Sequence, residues 1–261
     1  MLFDTHAHLC SPRFAQDLDA VLHRAQSHGV AAIVAVSETA EDAEATLDLA
    51  TRHAAVRPAV GLYPTVLDFE QADRLETLLR QRRDEIFAVG EIGLDHWKVK
   101  EPDELELQER LFRRFVRLAK ELDLPVNVHS RSAGRRTLEV LLEEQAPRVQ
   151  MHAFDGRAAK ARPGVEAGYF FSVPPSIVRS RQKEKLVRQL PTKCLLLETD
   201  SPVLGAVADQ RNEPSEVTVA LEAICRLRAL KADEAEAVFA ENTLRLYGER
   251  LMPREGEEME A

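Results

Sequence analysis

The chain has 261 residues, 44% of them hydrophobic and 30% charged, with a formal net charge of −9. That length suits one large domain with a sizeable core, no run of about 18 apolar residues is present to span a bilayer, and the acidic balance excludes nucleic-acid binding through a broadly basic surface. Three widely spaced cysteines, Cys10, Cys194 and Cys225, do not describe a disulfide framework, and residues 1–13 lack a signal-peptide pattern, so a cytoplasmic, reducing location is expected.

The first short apolar run, Leu2 to Asp4, reads as a strand and leads into DTHAHL. In extended backbone His6 and His8 point the same way, so both can reach one ion. Cys10 continues that register and reads as a small buried thiol. An amphipathic stretch from Phe14 to His28 precedes a strand from Ala31 to Val36, and another from Glu41 to His53 precedes a strand from Val56 to Val60. His23, His28 and His53 fall within these helical segments and are assigned to surface or packing. Arg74 to Arg83 reads as helix and Ile86 to Val89 as strand, with Glu91 just beyond it. His96 and Trp97 follow in GLDHW as a loop histidine and a cover for the rim.

In Glu104 to Leu122, the residues Leu107, Leu111, Phe115, Leu118 and Leu122 recur at three- and four-residue spacings, which predicts a helix with one buried stripe. The strand Val126 to Val128 then runs into His129, Arg131 and Arg135, and a helix spans Arg136 to Glu144. Val149 to Met151 runs into His152 and Arg157. Tyr169 to Ser172 is followed by Arg179, Arg181 and Lys183 in PPSIVRSRQK, and by a helix from Lys183 to Leu190. The last strand, Cys194 to Leu197, leads through LETD to Asp200. Glu216 to Leu230 and Ala232 to Leu246 read as two more helices. Residues 1–250 are expected to form the domain, and residues 251–261 an acidic, disordered tail.

Eight strands alternating with helices over about 250 residues match a single-domain (β/α)8 TIM barrel better than an open doubly wound sheet, the alternative that periodicity leaves standing. Barrel enzymes place their sites at the carboxyl ends of the strands, where His6, His8, Glu91, His129, His152 and Asp200 fall. By itself His-x-His is a weak signal; six candidates at five strand ends make a pattern. Imidazoles and carboxylates suit divalent cations, and two ions about 3.5 to 4 Å apart can clamp an attacking and a leaving oxygen. His6 and His8 can chelate one ion and Glu91 can bridge two. His129 and His152 can complete the second, while Asp200 can bind the first and take a proton. Arg131, Arg135 and Arg157 are candidates for holding phosphates.

DTHAHL, GEIGLD, PVNVHSR, MHAF and LETDSP, in this order from Phe3 to about Tyr247, resemble the TatD family of metal-dependent deoxyribonucleases. Longer strings such as LPVNVHSRSAGR and ETDSPVLG are most similar to the third vertebrate TatD-domain paralogue and its prokaryotic relatives. The resemblance implies an amidohydrolase-type barrel with two divalent ions, Mg2+, Mn2+ or Zn2+. It places His6 and His8 on one ion, Glu91 as the bridge, His129 and His152 on the other, and Asp200 as first-site ligand and base. Asp95 and Glu198 take supporting roles.

One departure stands out: where the family has Gly-x-His-Pro, this chain reads GLYP, so Tyr63 replaces a histidine that faces the substrate. Tyrosine donates a hydrogen bond but carries no cation at neutral pH. The expected function is hydrolysis of phosphodiester bonds in DNA, trimming single-stranded ends with metal-activated water as nucleophile, and no membrane or protein partner. The rival is cleavage of a small ester, lactone, amide or phosphoester on the same centre.

Overall fold

Short runs of β-branched and small apolar residues form eight strands: β1 (Leu2–Ala7), β2 (Val30–Val36), β3 (Val56–Val60), β4 (Ala88–Gly93), β5 (Val126–His129), β6 (Val149–Met151), β7 (Phe170–Val173) and β8 (Leu195–Leu197). The computed structural model describes residues 1–252. The strands are parallel neighbours in chain order. Beyond β8 the chain returns to β1: Ala7 bridges Ser201, the Asp200 amide donates to the His6 carbonyl at 2.8 Å, and the His8 amide donates to the Ser201 carbonyl at 2.8 Å. The expected eight-stranded barrel is the fold.

Seven helices connect the strands: α1 (Leu18–Ser27), α2 (Ala40–Arg52), α3 (Phe69–Gln81), α4 (Pro102–Glu121), α5 (Gly134–Glu143), α6 (Ala158–Glu166) and α7 (Arg181–Gln189). Two more, α8 (Val217–Arg228) and α9 (Ala232–Tyr247), follow β8. Among the described residues no helix is long and apolar enough to cross a membrane. The α4 stripe lies as its spacing predicts, with Leu111, Phe115 and Leu118 buried and Leu107 and Leu122 half-buried.

Strand alternation sorts the apolar side chains into two layers. On β2, Ile33 and Ala35 join the layer packed under the helices. Ala32, Val34 and Val36 join a second cluster with Phe3, Ala59, Ala88, Phe170 and Leu196. The end of α9 adds Leu246 and Tyr247 to this cluster, and Leu251 follows. Arg57, near the start of β3, donates to the carbonyls of Leu251 at 3.2 Å and Met252 at 3.1 Å. Asn242 donates to Thr192 and Leu195 at 2.9 Å each. The C-terminal segment thus stops the barrel at the amino ends of its strands and leaves the opposite mouth open. Leu251, one residue past the expected boundary at 250, is fully buried. The acidic run expected to be disordered lies, in residues 253–261, outside the described residues.

Several elements differ from what the sequence predicts. Strand β1 continues to Ala7 and β4 to Gly93, so His6 and Glu91 lie within strands rather than after them. Helix α3 begins at Phe69, because the Asp68 carboxylate accepts from the amides of Glu70 at 2.8 Å and Gln71 at 3.2 Å and caps it. Helix α6 has no counterpart in the reading.

Gly93 adopts φ +148°, and a Cβ there would stand 2.0 Å from the carbonyl oxygen of His129, its partner on β5. Only glycine fits that approach. Gly93→Ala should cost at least about 3 kcal/mol of stability, read as a lowered urea midpoint; an unchanged midpoint would refute the tight β4–β5 contact.

Candidate metal centre

At the open mouth, His6 Nε2, His8 Nε2, Asp200 Oδ1 and Glu91 Oε2 converge. The two histidine nitrogens are 3.3 Å apart. Asp200 Oδ1 lies 3.5 Å from His6 Nε2 and 3.3 Å from His8 Nε2. Glu91 Oε2 lies 3.8 and 3.5 Å from the same nitrogens. Four ligands about 2.1 Å from one tetrahedral ion would be roughly 3.4 Å apart. Glu91 Oε2 is buried with no hydrogen-bond partner among the described residues. A buried carboxylate oxygen facing imidazole nitrogens without a donor is what a cation would satisfy, so these residues fit the ion that the sequence implied.

The other oxygen of Glu91 faces the other side of the centre. Oε1 lies 2.6 Å from His129 Nδ1 and 3.3 Å from His152 Nε2. His152 stacks on His6, with ring centroids 3.8 Å apart. The ligand atoms of His6, Glu91 and His152 all lie within 4.8 Å of one another. His129 is engaged at both nitrogens, since Nε2 lies 3.3 Å from Asp95 Oδ2. Asp95 is itself fixed, its Oδ1 accepting from the amides of Trp97 at 2.9 Å and Lys98 at 2.8 Å. Glu198 Oε2 stands 3.4 Å from His152 Nδ1. Asp95 and Glu198 therefore stand behind the imidazoles of His129 and His152. Glu38, just past β2, puts Oε1 3.4 Å from His8 Nδ1; the sequence reading missed it, though its place after a strand was a usable signal.

Burial by itself would raise the Glu91 pKa, but the imidazoles of His129 and His152 overcome it and hold the carboxyl well below its ordinary range. Asp200 behaves likewise: burial pushes it up and His152 and His8 push it down further. Burial opposes charge on His8, yet Asp200 and Glu91 raise it to about 9. His129 is raised against burial by Glu91 and Asp95, and His152 by Glu198, Asp200 and Glu91. His6 goes the other way, to about 4, through burial and the neighbouring His152. Asp200 also has φ 54°, a left-handed conformation that aspartate tolerates better than most residues.

The centre floors a cleft of about 830 Å3. Tyr63 lines it, its ring edge-on to His129 at 5.2 Å, and burial together with Glu91 pushes its hydroxyl pKa up, so it is a neutral donor. Arg131 lines it too, stacked 3.7 Å over the ring of Trp97, which stays 49% exposed on the rim. Arg135 and Arg157 do not reach the lining. Arg135 turns outward along α5 to Glu139 at 3.2 Å, and Arg157 is exposed just before α6. The cations that do line the cleft with Arg131 are Arg13 and Lys183. Lys183 Nζ donates to the Ala153 carbonyl at 3.0 Å.

A family model described as TatD related DNase matches residues 3–248. The human deoxyribonuclease TATDN3 is 41% identical over 258 residues, covering 94% of each chain. YabD of Bacillus subtilis, described as an uncharacterized metal-dependent hydrolase, is 32% identical over 95% of this chain and 99% of its own. The crystal structure of YjjV, a TatD homolog from Escherichia coli, superposes with a TM-score of 0.88 at 32% identity, covering 94% of this chain and 97% of that one. With strand-end histidines and carboxylates gathered as the family motifs require, this chain belongs to the family of TatD-related DNases.

Proposed function

We propose that the protein hydrolyses phosphodiester bonds of DNA at a two-ion centre, trimming single-stranded ends with water as nucleophile. The observation that carries this reading is the convergence of four ligand atoms on one point, with Glu91 Oε2 left without a donor. His6 Nε2, His8 Nε2, Asp200 Oδ1 and Glu91 Oε2 would hold one ion. Glu91 Oε1, His152 Nε2 and His129 Nδ1 would hold the other, in place of the proton that joins Glu91 to His129. Bound Mg2+, Mn2+ or Zn2+ supplies Lewis acidity toward phosphoryl oxygens and lowers the pKa of a bound water.

The chain's own residues do the rest. Asp200, kept ionised by its histidine neighbours, accepts the proton of the attacking water. Asp95 and Glu198 hold the rings of His129 and His152 from behind. Lys183, Arg131 and Arg13 hold phosphates along the cleft. Tyr63 donates one neutral hydrogen bond where a cation would otherwise stand. Trp97, exposed beside Arg131, offers a ring for a base next to a guanidinium for its phosphate. A relative sharing 41% of the sequence carries the name deoxyribonuclease, and a local set of cations agrees with an acidic chain holding a polyanion only where it is cut.

The second reading, hydrolysis of a small ester or phosphoester, is favoured by the carboxylates Glu38, Asp42 and Asp155, which share the cleft with its three cations. The deciding experiment offers end-labelled single-stranded oligonucleotides and nitrophenyl esters and phosphoesters with each of the three ions. A nucleotide ladder growing from one end and abolished by EDTA is expected; turnover of the small esters alone would replace the first reading by the second. Lys183→Met should raise KM for an oligonucleotide about tenfold with little change in kcat, as loss of ground-state phosphate binding does. An unchanged KM would remove Lys183 from the substrate path.

A further inference from the structure

Behind the metal centre, the barrel interior carries Thr5, Asn127, Gln150, Ser172 and Tyr247, polar residues that the proposed hydrolysis does not use. His6 Nδ1 lies 2.8 Å from Asn127 Oδ1 on β5. Asn127 Nδ2 donates to the Thr5 carbonyl at 2.9 Å and to Tyr247 Oη, at the end of α9, at 3.1 Å. Tyr247 donates to Gln150 Oε1 on β6 at 2.6 Å. Gln150 Nε2 reaches the Thr5 carbonyl at 3.2 Å and Ser172 Oγ on β7 at 2.9 Å. Ser172 donates to Glu198 Oε2 at 2.6 Å, the oxygen that faces His152 Nδ1. All of these residues are buried.

The bond directions at Asn127 and Gln150 follow from Thr5. Its carbonyl only accepts, so the NH2 group of Asn127 must turn toward it, and its hydroxyl gives its own proton to the Leu197 carbonyl at 2.8 Å, so the Gln150 NH2 group 3.0 Å from that hydroxyl must turn toward Thr5 as well. Asn127 Oδ1 therefore faces His6, and Gln150 Oε1 faces Tyr247. An amide oxygen only accepts, so His6 must carry its proton on Nδ1, and Tyr247 must donate to Gln150 while accepting from Asn127. With Nδ1 protonated, the lone pair of His6 lies on Nε2, the atom aimed at His8, Glu91 and Asp200. Thr5 lies in the stretch between Asp4 and Ala7 where the β1–β2 register is irregular.

The geometry points to Asn127 and Tyr247 as positioning residues: through one directional hydrogen-bond chain across the barrel they hold His6 as its Nδ1–H tautomer, with Nε2 committed to the cation. This rests on the metal-centre reading above and assigns the plug helix α9 a part in building the centre. Partners that orient a ligating histidine in this way typically contribute 10- to 100-fold in metal affinity.

The test uses Zn2+-loaded protein, its affinity measured by chelator competition, with two-bond 15N–1H correlation spectra of the histidine rings. In the parent, His6 should show a protonated Nδ1 with slow exchange. Asn127→Leu, close in volume, should weaken Zn2+ binding about 10- to 100-fold, and Tyr247→Phe about tenfold or less. Both should speed exchange of the His6 Nδ1 proton while keeping the circular-dichroism spectrum of the parent. A parent His6 without a proton on Nδ1 would overturn the inference, as would variants with unchanged exchange and affinity. If the parent itself bound no Zn2+, the metal-centre reading would fall first; a parent that binds and variants that bind equally would sink this inference alone.

Discussion

Glu91→Gln should lower turnover by about a thousandfold or more while leaving the fold intact. Both oxygens of Glu91 are committed, Oε2 toward His6 and His8 and Oε1 toward His129 and His152. Glutamine keeps the shape but replaces one oxygen by an NH2 group, which cannot ligate, so whichever way the amide turns one half of the centre loses its ligand. Loss of that charge stabilisation is worth several kcal/mol in the transition state, and about 4 kcal/mol corresponds to the thousandfold effect. Metal content and kcat measured on the same preparation give the answer. A variant with parental metal content and a rate within tenfold of the parent would end the assignment of Glu91 as the shared ligand.

Metal affinity should fall steeply as the pH drops. His8, raised to about 9, and His152, raised well above its ordinary value, are expected to hold protons at neutral pH in the metal-free protein, and His129 is raised in the same direction. An imidazole nitrogen must lose its proton before it can ligate, so each such histidine makes the apparent affinity drop about tenfold per pH unit below its pKa. Glu91 and Asp200 are held low and stay ionised across this range, adding nothing to the slope. His6, lowered to about 4, is neutral there and adds nothing either. Between about pH 8 and 6, displacement of one or two protons would change the affinity roughly 10²- to 10⁴-fold. Calorimetric titration of Zn2+ in buffers of different ionisation enthalpy counts the protons released. An affinity flat across this range would contradict the protonated resting centre.

The grouping of these six residues was legible because a barrel turns linear order into a ring: any ligand-type residue in the last residues of a strand or just past it arrives at the same mouth. Strand lengths were not legible. In sequence Thr5 and His6 follow the apolar run that reads as a strand, yet both lie within β1, buried inside the barrel, where polar side chains find partners on strands more than a hundred residues away. Helix α6 escaped because Pro163 and Gly164 interrupt any apolar stripe. It packs through the small size of Gly164, where a Cβ would stand 2.7 Å from Leu138. Arg135 and Arg157 were misplaced because proximity to a motif says nothing about which way a side chain turns. In the string RSRQK, only Lys183 turns into the cleft. Asn127 did carry a signal, a polar residue between the valines of a buried strand. Tyr247 carried none, since its partners lie 97 and 120 positions away.

The closing of the barrel floor by α9 has a consequence for the order in which the protein is made. All eight strands and all six strand-end residues leave the ribosome before Tyr247, Leu246 and Leu251 exist. A nascent chain that has already paired its sheet still lacks the residues that fill its interior and anchor Asn127 behind His6. Translation thus delivers the structural stopper after every strand it closes, and on the proposal made for Asn127 and Tyr247 full affinity for a cation would arrive with it.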